Sequence, residues 1–165
     1  IFFTGFSYGA SQVLKFQDAR IQSQNPFKAG VAGEPGCNIV SNPTKTNFAT
    51  MIIKGEESHY YPIACENYYK MIKEVGNKIE YISIPKVNHF FSLNGKISKG
   101  VAVNGCSKNI LIRYADGSFK FQDGTPSDRR GRLKCFTKEA AGGEKNRAKL
   151  NHAIDLTLNF LDKYR

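Results

Sequence analysis

Short apolar runs alternate along the first half of the chain with longer amphipathic segments. Four of these runs predict strands, at residues 1–4, 29–32, 49–54 and 79–84. The third begins Ala49-Thr50-Met51-Ile52-Ile53 and is nearly continuous apolar, which is typical of a parallel strand buried on both faces. Because the strands alternate with helical segments, the sequence predicts an α/β fold with a parallel sheet flanked by helices.

Three segments carry apolar residues at helical spacing, at residues 8–23, 62–75 and about 144–164. The first stops before Asn25-Pro26, since the residue that precedes a proline is disfavoured in a helix. Pro62 suits the first turn of the second helix, and Gly76 suits its C-terminal cap. We expect the last helix to pack on the sheet.

The stretch from residue 93 to residue 143 breaks this alternation. It is rich in Gly, Ser, Asn and Lys, and within residues 110–121 two apolar runs flank Asp116-Gly117, a pair that favours a tight hairpin turn. We interpret the stretch as an insertion of about 93–143 within a single domain that spans residues 1–165.

The segment Gly5-Phe6-Ser7-Tyr8-Gly9 places a GxSxG pattern directly between a predicted strand and a predicted helix. A serine on such a sharp turn presents its hydroxyl group to a substrate, and the flanking glycines let the turn approach its neighbours without a Cβ clash. The amide of Tyr8, at the start of the helix, would point toward an oxyanion. The alternative is a flexible turn without chemistry. The context favours Ser7 as a nucleophile.

A nucleophilic serine needs a general base, and the chain has three histidines. His89 follows the last predicted strand, in a loop where an imidazole can be exposed and movable. His152 lies within the last helix, which favours a packing or surface role, and His59 is a weaker candidate. The order serine, acidic loop, histidine is the order of an α/β-hydrolase, so we expect His89 to be the base.

The segments around these residues resemble the C-terminal half of a dienelactone hydrolase family protein, within the α/β-hydrolase superfamily. They are Gly5-Phe6-Ser7-Tyr8-Gly9-Ala10, Pro35-Gly36-Cys37, the loop at residues 55–62, and residues 84–91. The resemblance implies a hydrolase that cleaves an ester or lactone bond of a small molecule through an acyl-enzyme, with no metal or cofactor. The best-known members carry Cys at the position that matches Ser7, which weakens the inference of a cyclic dienelactone substrate.

The chain departs from the family pattern at the triad acid. In the family this acid stands three residues after a strand-ending glycine, and that position is Ser58 here. Glu57 and Glu56 precede it, and the longer Glu side chain would let Glu57 reach the histidine. Two readings stay open: Glu57 orients His89, or the triad has no acid and the protein is a catalytically inactive binding protein with an α/β-hydrolase fold.

The chain begins within the nucleophile strand, whereas the family has earlier strands and takes its second oxyanion amide from a loop among them. We therefore expect a fragment of a larger enzyme, with a sheet that is incomplete at its N-terminal side and with Tyr8 as one of two amide donors.

The composition has 24 Lys and Arg against 14 Asp and Glu, for a net charge of +10. Apart from residues 129–134 the basic residues are scattered and no nucleic-acid motif accompanies them, so we expect no nucleic-acid partner. No apolar run reaches the ~18 residues of a membrane span. Gly30, Gly33 and Gly36 have the wrong spacing for a dinucleotide loop.

Four cysteines lack zinc-binding spacing. Cys37 and Cys65 fall near a strand end and on an apolar helix face, so we expect buried free thiols. Cys106 and Cys135 bracket the predicted hairpin and are either free or joined in a disulfide. A disulfide there would indicate a periplasmic or secreted protein, and free thiols a cytoplasmic one.

Overall fold

The computed structural model of the protein describes residues 1–24, 26–93, 98–141 and 145–165. Its largest sheet has four strands, all parallel, in the spatial order β1-β2-β4-β5. These strands are β1 (Phe2–Phe6), β2 (Ala29–Gly33), β4 (Ala49–Gly55) and β5 (Ile79–Ile84). All four coincide with the predicted strands, so the predicted α/β fold with a parallel sheet is confirmed.

Five α-helices occur in the described residues: α1 (Tyr8–Leu14), α2 (Ala19–Gln22), α3 (Pro62–Glu74), α4 (Arg129–Leu133) and α5 (Arg147–Asp162). The prediction of one helix over residues 8–23 was wrong. A 3-10 turn follows α1, and Asp18 then leaves the helical conformation to cap α2, accepting a hydrogen bond of 3.0 Å from the amide of Arg20. The predicted stop at Asn25 and the predicted start of the last helix at residue 144 lie outside the described residues.

Helices cover the sheet on both faces. On one face α1 and α3 form a core with Ile52 of β4, to which Val13 and Tyr68 contribute fully buried side chains. On the other face α5 packs against the alternate residues of β4, through Ala153 and Phe160. The final helix therefore packs on the sheet as expected. Among the described residues, no helix is long and apolar enough to cross a membrane.

Smaller β elements complete the fold: β3 (Ile39–Ser41), β6 (Ser98–Ala102), β7 (Leu111–Arg113), β8 (Phe119–Phe121) and β9 (Thr137–Ala141). Strands β7 and β8 form the predicted antiparallel hairpin, and Gly117 in its turn has a φ of +83°. The hairpin also pairs in parallel with β3, which the sequence pattern did not predict. Ile110 and Ile112 belong to the same core as α1 and α3.

Both pairs of cysteines are joined in disulfides. Cys106 bonds to Cys135, which is one of the two states that the sequence left open, with 4.9 Å between their Cα atoms. Cys37 bonds to Cys65, with the same Cα separation, so the prediction of buried free thiols was wrong. An apolar setting suits a free thiol and a disulfide sulfur equally well, and the sequence alone did not reveal that the two residues meet.

Candidate active site

Ser7 occupies the turn between β1 and α1. Its φ of 54° and ψ of −115° are an unusual conformation for a residue other than glycine, and its amide donates a hydrogen bond of 2.9 Å to the Gly33 carbonyl. A Cβ atom on Gly5 would lie 2.3 Å from the Gly9 carbonyl carbon, whereas a Cβ on Gly9 would meet no atom within 4 Å. The close approach therefore requires Gly5, and the expectation that both glycines prevent a clash was wrong for Gly9.

The amide of Tyr8 is the first of α1, so its N–H has no hydrogen-bond partner within the helix. It directly follows Ser7, where the helix dipole favours negative charge. Both features suit it to an oxyanion that would form on a substrate bound at Ser7.

His89 lies beside Ser7. Its Nε2 atom is 2.8 Å from the Ser7 hydroxyl oxygen, so the structure brings these two predicted site residues together. The ring is only 1% exposed, however, and lies among the rings of Phe6, His59 and Phe90. The expected exposed and movable imidazole is therefore a buried one that its neighbours hold in place.

The carboxylate beside His89 belongs to Glu34. Its Oε2 atom lies 3.2 Å from His89 Nδ1, and the side chain is fully buried. Glu34 directly follows β2 with a φ of 56°, and its amide donates a hydrogen bond of 2.8 Å to the Ile53 carbonyl. This second unusual backbone conformation turns the carboxylate toward the end of β4.

The structure does not bring Glu57 or Glu56 to His89. Glu57 is exposed and holds the loop by donating its amide hydrogen to the Val87 carbonyl, while the carboxylate of Glu56 accepts a hydrogen bond of 3.4 Å from Ser83. The structure therefore places the carboxylate of Glu34, and not that of Glu57 as the sequence predicted, beside His89. One signal pointed to it: Glu34 follows a strand neighbouring that of Ser7, and the carboxyl ends of parallel strands share one edge of the sheet.

The structure places the other two histidines, His152 and His59, in different surroundings. His152 is exposed on α5, in agreement with its predicted role. His59 is buried edge-to-face against His89, with 4.7 Å between ring centroids, and its Nδ1 atom has no hydrogen-bond partner among the described residues. Burial, and after it the charges of His89 and Lys54, lower the pKa of His59 to about 4. His59 is therefore neutral at neutral pH, and its ring packs against that of His89.

Glu34 also contacts three further residues: Lys54, Ser58 and Gly55. Its Oε2 atom lies 3.0 Å from the Nζ atom of Lys54 and accepts a hydrogen bond of 2.8 Å from the Ser58 hydroxyl. Its Oε1 atom accepts a hydrogen bond from the Gly55 amide. A Cβ atom on Gly55 would lie 2.9 Å from this oxygen and 2.5 Å from the Val87 carbonyl oxygen, so glycine is needed for the carboxylate to reach the backbone.

These contacts set the charge of Glu34. Burial opposes ionisation, but the hydrogen bond with His89, the charge of Lys54 and the Gly55 amide outweigh it and lower the pKa of Glu34 below its ordinary value. Burial also lowers the pKa of Lys54, against the effect of the Glu34 carboxylate. Glu34 is therefore an anion at neutral pH and acts as a hydrogen-bond acceptor.

A disulfide and a hydrogen bond anchor the loop that carries Glu34. Cys37 bonds to Cys65 on α3, and the Gly36 carbonyl accepts a hydrogen bond of 3.4 Å from the Ser11 hydroxyl on α1. Beside this loop a cavity of about 200 Å³ has Ser7 and Tyr8 in its lining. The described residues contain no group of three or more His, Cys, Asp or Glu side chains suited to a metal ion.

No protein-family model matches the chain, and no curated protein matches it. Several solved structures are similar to part of it. A protein of unknown function from Agrobacterium tumefaciens is 24% identical, with a TM-score of 0.39 and coverage of 53% of this chain and 43% of that one. Esterase 2 of Thermogutta terrifontis, in its apo form, is 16% identical, with a TM-score of 0.41 and coverage of 55% and 46%.

A homologue of α/β serine hydrolases from Coxiella burnetii is 16% identical, with a TM-score of 0.37 and coverage of 55% of this chain and 41% of that one. This chain thus spans less than half the length of each of these proteins.

Proposed function

We propose that this protein is a serine hydrolase that cleaves an ester or lactone bond through an acyl-enzyme. The observation that carries the proposal is the unbroken line of hydrogen-bonding groups from Ser7 through His89 to Glu34, with distances of 2.8 and 3.2 Å. A nucleophile, a base and an orienting carboxylate in this order are what acyl transfer requires.

The ionised Glu34 determines which nitrogen of His89 carries the proton. A carboxylate can only accept a hydrogen bond, so Nδ1 of a neutral His89 carries the hydrogen and donates it to Glu34. The lone pair then lies on Nε2, which accepts the hydrogen of the Ser7 hydroxyl. This is the tautomer that a general base for Ser7 needs.

The reaction proceeds in two halves. The Ser7 oxygen attacks the carbonyl carbon of the ester while its proton passes to His89 Nε2, and the Tyr8 amide donates a hydrogen bond to the oxyanion. The carbon–oxygen bond to the leaving group then breaks, and His89 returns the proton to that oxygen. A water molecule attacks the acyl group on Ser7 in the same way, releasing the acid and restoring the Ser7 hydroxyl.

We also propose a substrate specificity like that of the dienelactone hydrolases (carboxymethylenebutenolidases), which the sequence resembles. The cavity of about 200 Å³ at Ser7 has room for a small ester or lactone. The alternative of an inactive binding protein rested on a missing acid, and the position of Glu34 removes that reason.

Hydrolysis of p-nitrophenyl acetate by the purified protein tests the proposal. We expect turnover that Ser7→Ala abolishes, while Ser23→Ala, which removes the hydroxyl of an exposed serine, leaves it within twofold. Ester turnover that Ser7→Ala leaves unchanged would contradict the proposal, and a folded wild type without any ester turnover would contradict it in favour of the inactive binding protein.

The two disulfides support an extracytoplasmic location, because disulfides form and persist in oxidising compartments. We propose a periplasmic or secreted protein. Fractionation of the native host, followed by detection of the protein in the cytoplasm with four reduced cysteines, would contradict this part.

A further inference from the structure

Lys54 is a fully buried cation in the middle of the fold. It is in β4, in alternation with Thr50 and Ile52, and so belongs to the face of the sheet that α1 and α3 cover. Its Nζ atom has three oxygen partners: Glu34 Oε2 at 3.0 Å, the Pro35 carbonyl at 3.0 Å and the Ser58 hydroxyl at 2.9 Å. The three hydrogens of the ammonium group are therefore all used.

Stability alone is a poor explanation for this pair. Desolvation of two charges largely cancels their attraction, so well-packed apolar residues of similar volume are often equally stabilising in place of a buried ion pair. The contacts of Lys54 point instead to a role in holding Glu34. Ser58 accepts a hydrogen bond from Lys54 and donates one to the same Glu34 oxygen that faces His89.

We propose that Lys54 is a positioning residue for the reaction: with Ser58, it holds the Glu34 carboxylate in the ionised state and in the orientation that His89 requires. This inference rests on the proposed function, since it assigns Lys54 a role in the chemistry of Ser7. It also accounts for Ser58, which stands where the dienelactone hydrolase family carries the acid and here donates a hydrogen bond to Glu34, from the loop after β2.

Among the described residues, the charged and titratable groups that interact with Glu34 are Lys54 from β4, His89 from the loop after β5, His59 from the loop after β4 and the Tyr81 hydroxyl on β5. His59 stays neutral above about pH 4, so at neutral pH it adds no positive charge beside the carboxylate, and Lys54 forms the buried ion pair with it. Without Lys54, burial would still oppose the ionisation of Glu34, and its proton would be released only at higher pH.

The test is the pH dependence of the rate at which a fluorophosphonate probe labels Ser7, in the wild type and in Lys54→Met. We expect a rate at least tenfold lower at pH 7, with the acid limb of the profile moved to higher pH by about 1 to 3 pH units. Lys163→Met is the matched control, because it breaks an exposed pair with Glu80 at 2.8 Å and should move neither rate nor limb.

A second comparison tests whether the effect of Lys54 on the labelling rate depends on the Glu34 carboxylate. In a Glu34→Gln background there is no carboxylate to hold, so adding Lys54→Met should change the labelling rate less than threefold. This comparison also decides the matter if Lys54→Met alone does not fold, since the double variant replaces both charges of the buried pair.

The outcomes separate the two proposals. A wild type that labels at Ser7, together with a Lys54→Met variant that is slower by the same factor at every pH, would overturn the positioning role and leave the hydrolase intact. A loss of more than threefold on adding Lys54→Met to Glu34→Gln would overturn it as well. A folded wild type that does not label at all would overturn the proposed function.

Discussion

The Oε2 atom of Glu34 lies 3.2 Å from Nδ1 of His89, although the two residues are 55 positions apart in the chain. They meet because β2 and β5 are strands of one parallel sheet, so the loops after these strands lie at the same edge. Ser7 reaches that edge from β1, and the three groups come from three different loops.

Replacing Glu34 and Glu57 in turn shows which of the two carboxylates matters for turnover; the sequence favoured Glu57. We expect Glu34→Gln to lower ester turnover by about 10²- to 10⁴-fold, because the amide neither selects the Nδ1–H tautomer of His89 nor stabilises its protonated form. Glu57→Gln is the matched control, and it should keep turnover within twofold because Glu57 is exposed. Steady-state kinetics of both variants give the answer, and the reverse ranking would reinstate Glu57.

The two glycines of the GxSxG pattern should respond differently to alanine. Gly5→Ala places a methyl group 2.3 Å from backbone atoms that have no room to move, so we expect a loss of about 2 kcal/mol or more in the free energy of unfolding. Gly9→Ala meets open space within α1, so we expect a change of less than about 1 kcal/mol, toward higher stability. Urea unfolding measures both, and equal effects would contradict the geometry of the turn.

Removal of either disulfide should lower stability by a similar amount, but only one of the two removals should lower turnover. Each closes a loop of similar length, with sequence separations of 28 and 29, so removing either pair should cost about 3 to 4 kcal/mol of stability. The Cys37→Ser, Cys65→Ser variant should also lose turnover, because Cys37 anchors the loop that carries Glu34. The Cys106→Ser, Cys135→Ser variant is the control. Assayed at a temperature where both are folded, equal turnover in the two variants would refute this difference.

The lowered pKa of His59 makes the free energy of unfolding depend on pH. Its pKa is about 4 in the folded protein and 6.5 in the unfolded chain, so the unfolded state binds more protons between these values. The free energy of unfolding should therefore fall by roughly 2 kcal/mol as the pH drops from 6.5 to 4. Urea unfolding at several pH values tests this, and His59→Phe should remove that part of the slope.

The depressed pKa of Glu34 acts in a separate range. Its contribution to stability is present above the unfolded value of 4.5 and is lost as the pH falls through the lower folded value. Wild type and His59→Phe share this loss, so the difference between them isolates His59. Identical slopes between pH 6.5 and 4 would contradict the buried position of His59.

Sequence periodicity was sufficient for the sheet and for part of the site. The apolar runs predicted all four parallel strands, because buried strands need apolar residues on both faces, and the strand–turn–helix context predicted the environment of Ser7. The break of the first helix at Asp18 was missed because a capping carboxylate in mid-segment gives no change of hydrophobic period. The pairing of β3 with β7 depends on long-range register, which local pattern does not encode.

Glu34 was missed for a related reason. The family pattern predicts an acid at the position that Ser58 occupies, or among its neighbours in the chain. The carboxylate beside His89 comes instead from another loop, and its proximity to His89 depends on sheet order, a φ of 56° at Glu34 and a glycine at residue 55. The meeting of Cys37 with Cys65 likewise depends on how α3 packs beside that loop.

The central claim is that the Ser7 hydroxyl is the nucleophile and that His89 activates it. The most direct measurement is mass-spectrometric mapping of the residue that a fluorophosphonate probe modifies in the purified, folded protein. We expect one phosphonylated residue, Ser7, and a labelling rate that His89→Ala lowers by at least a hundredfold. Labelling of another serine, or labelling of Ser7 at an unchanged rate in His89→Ala, would contradict it.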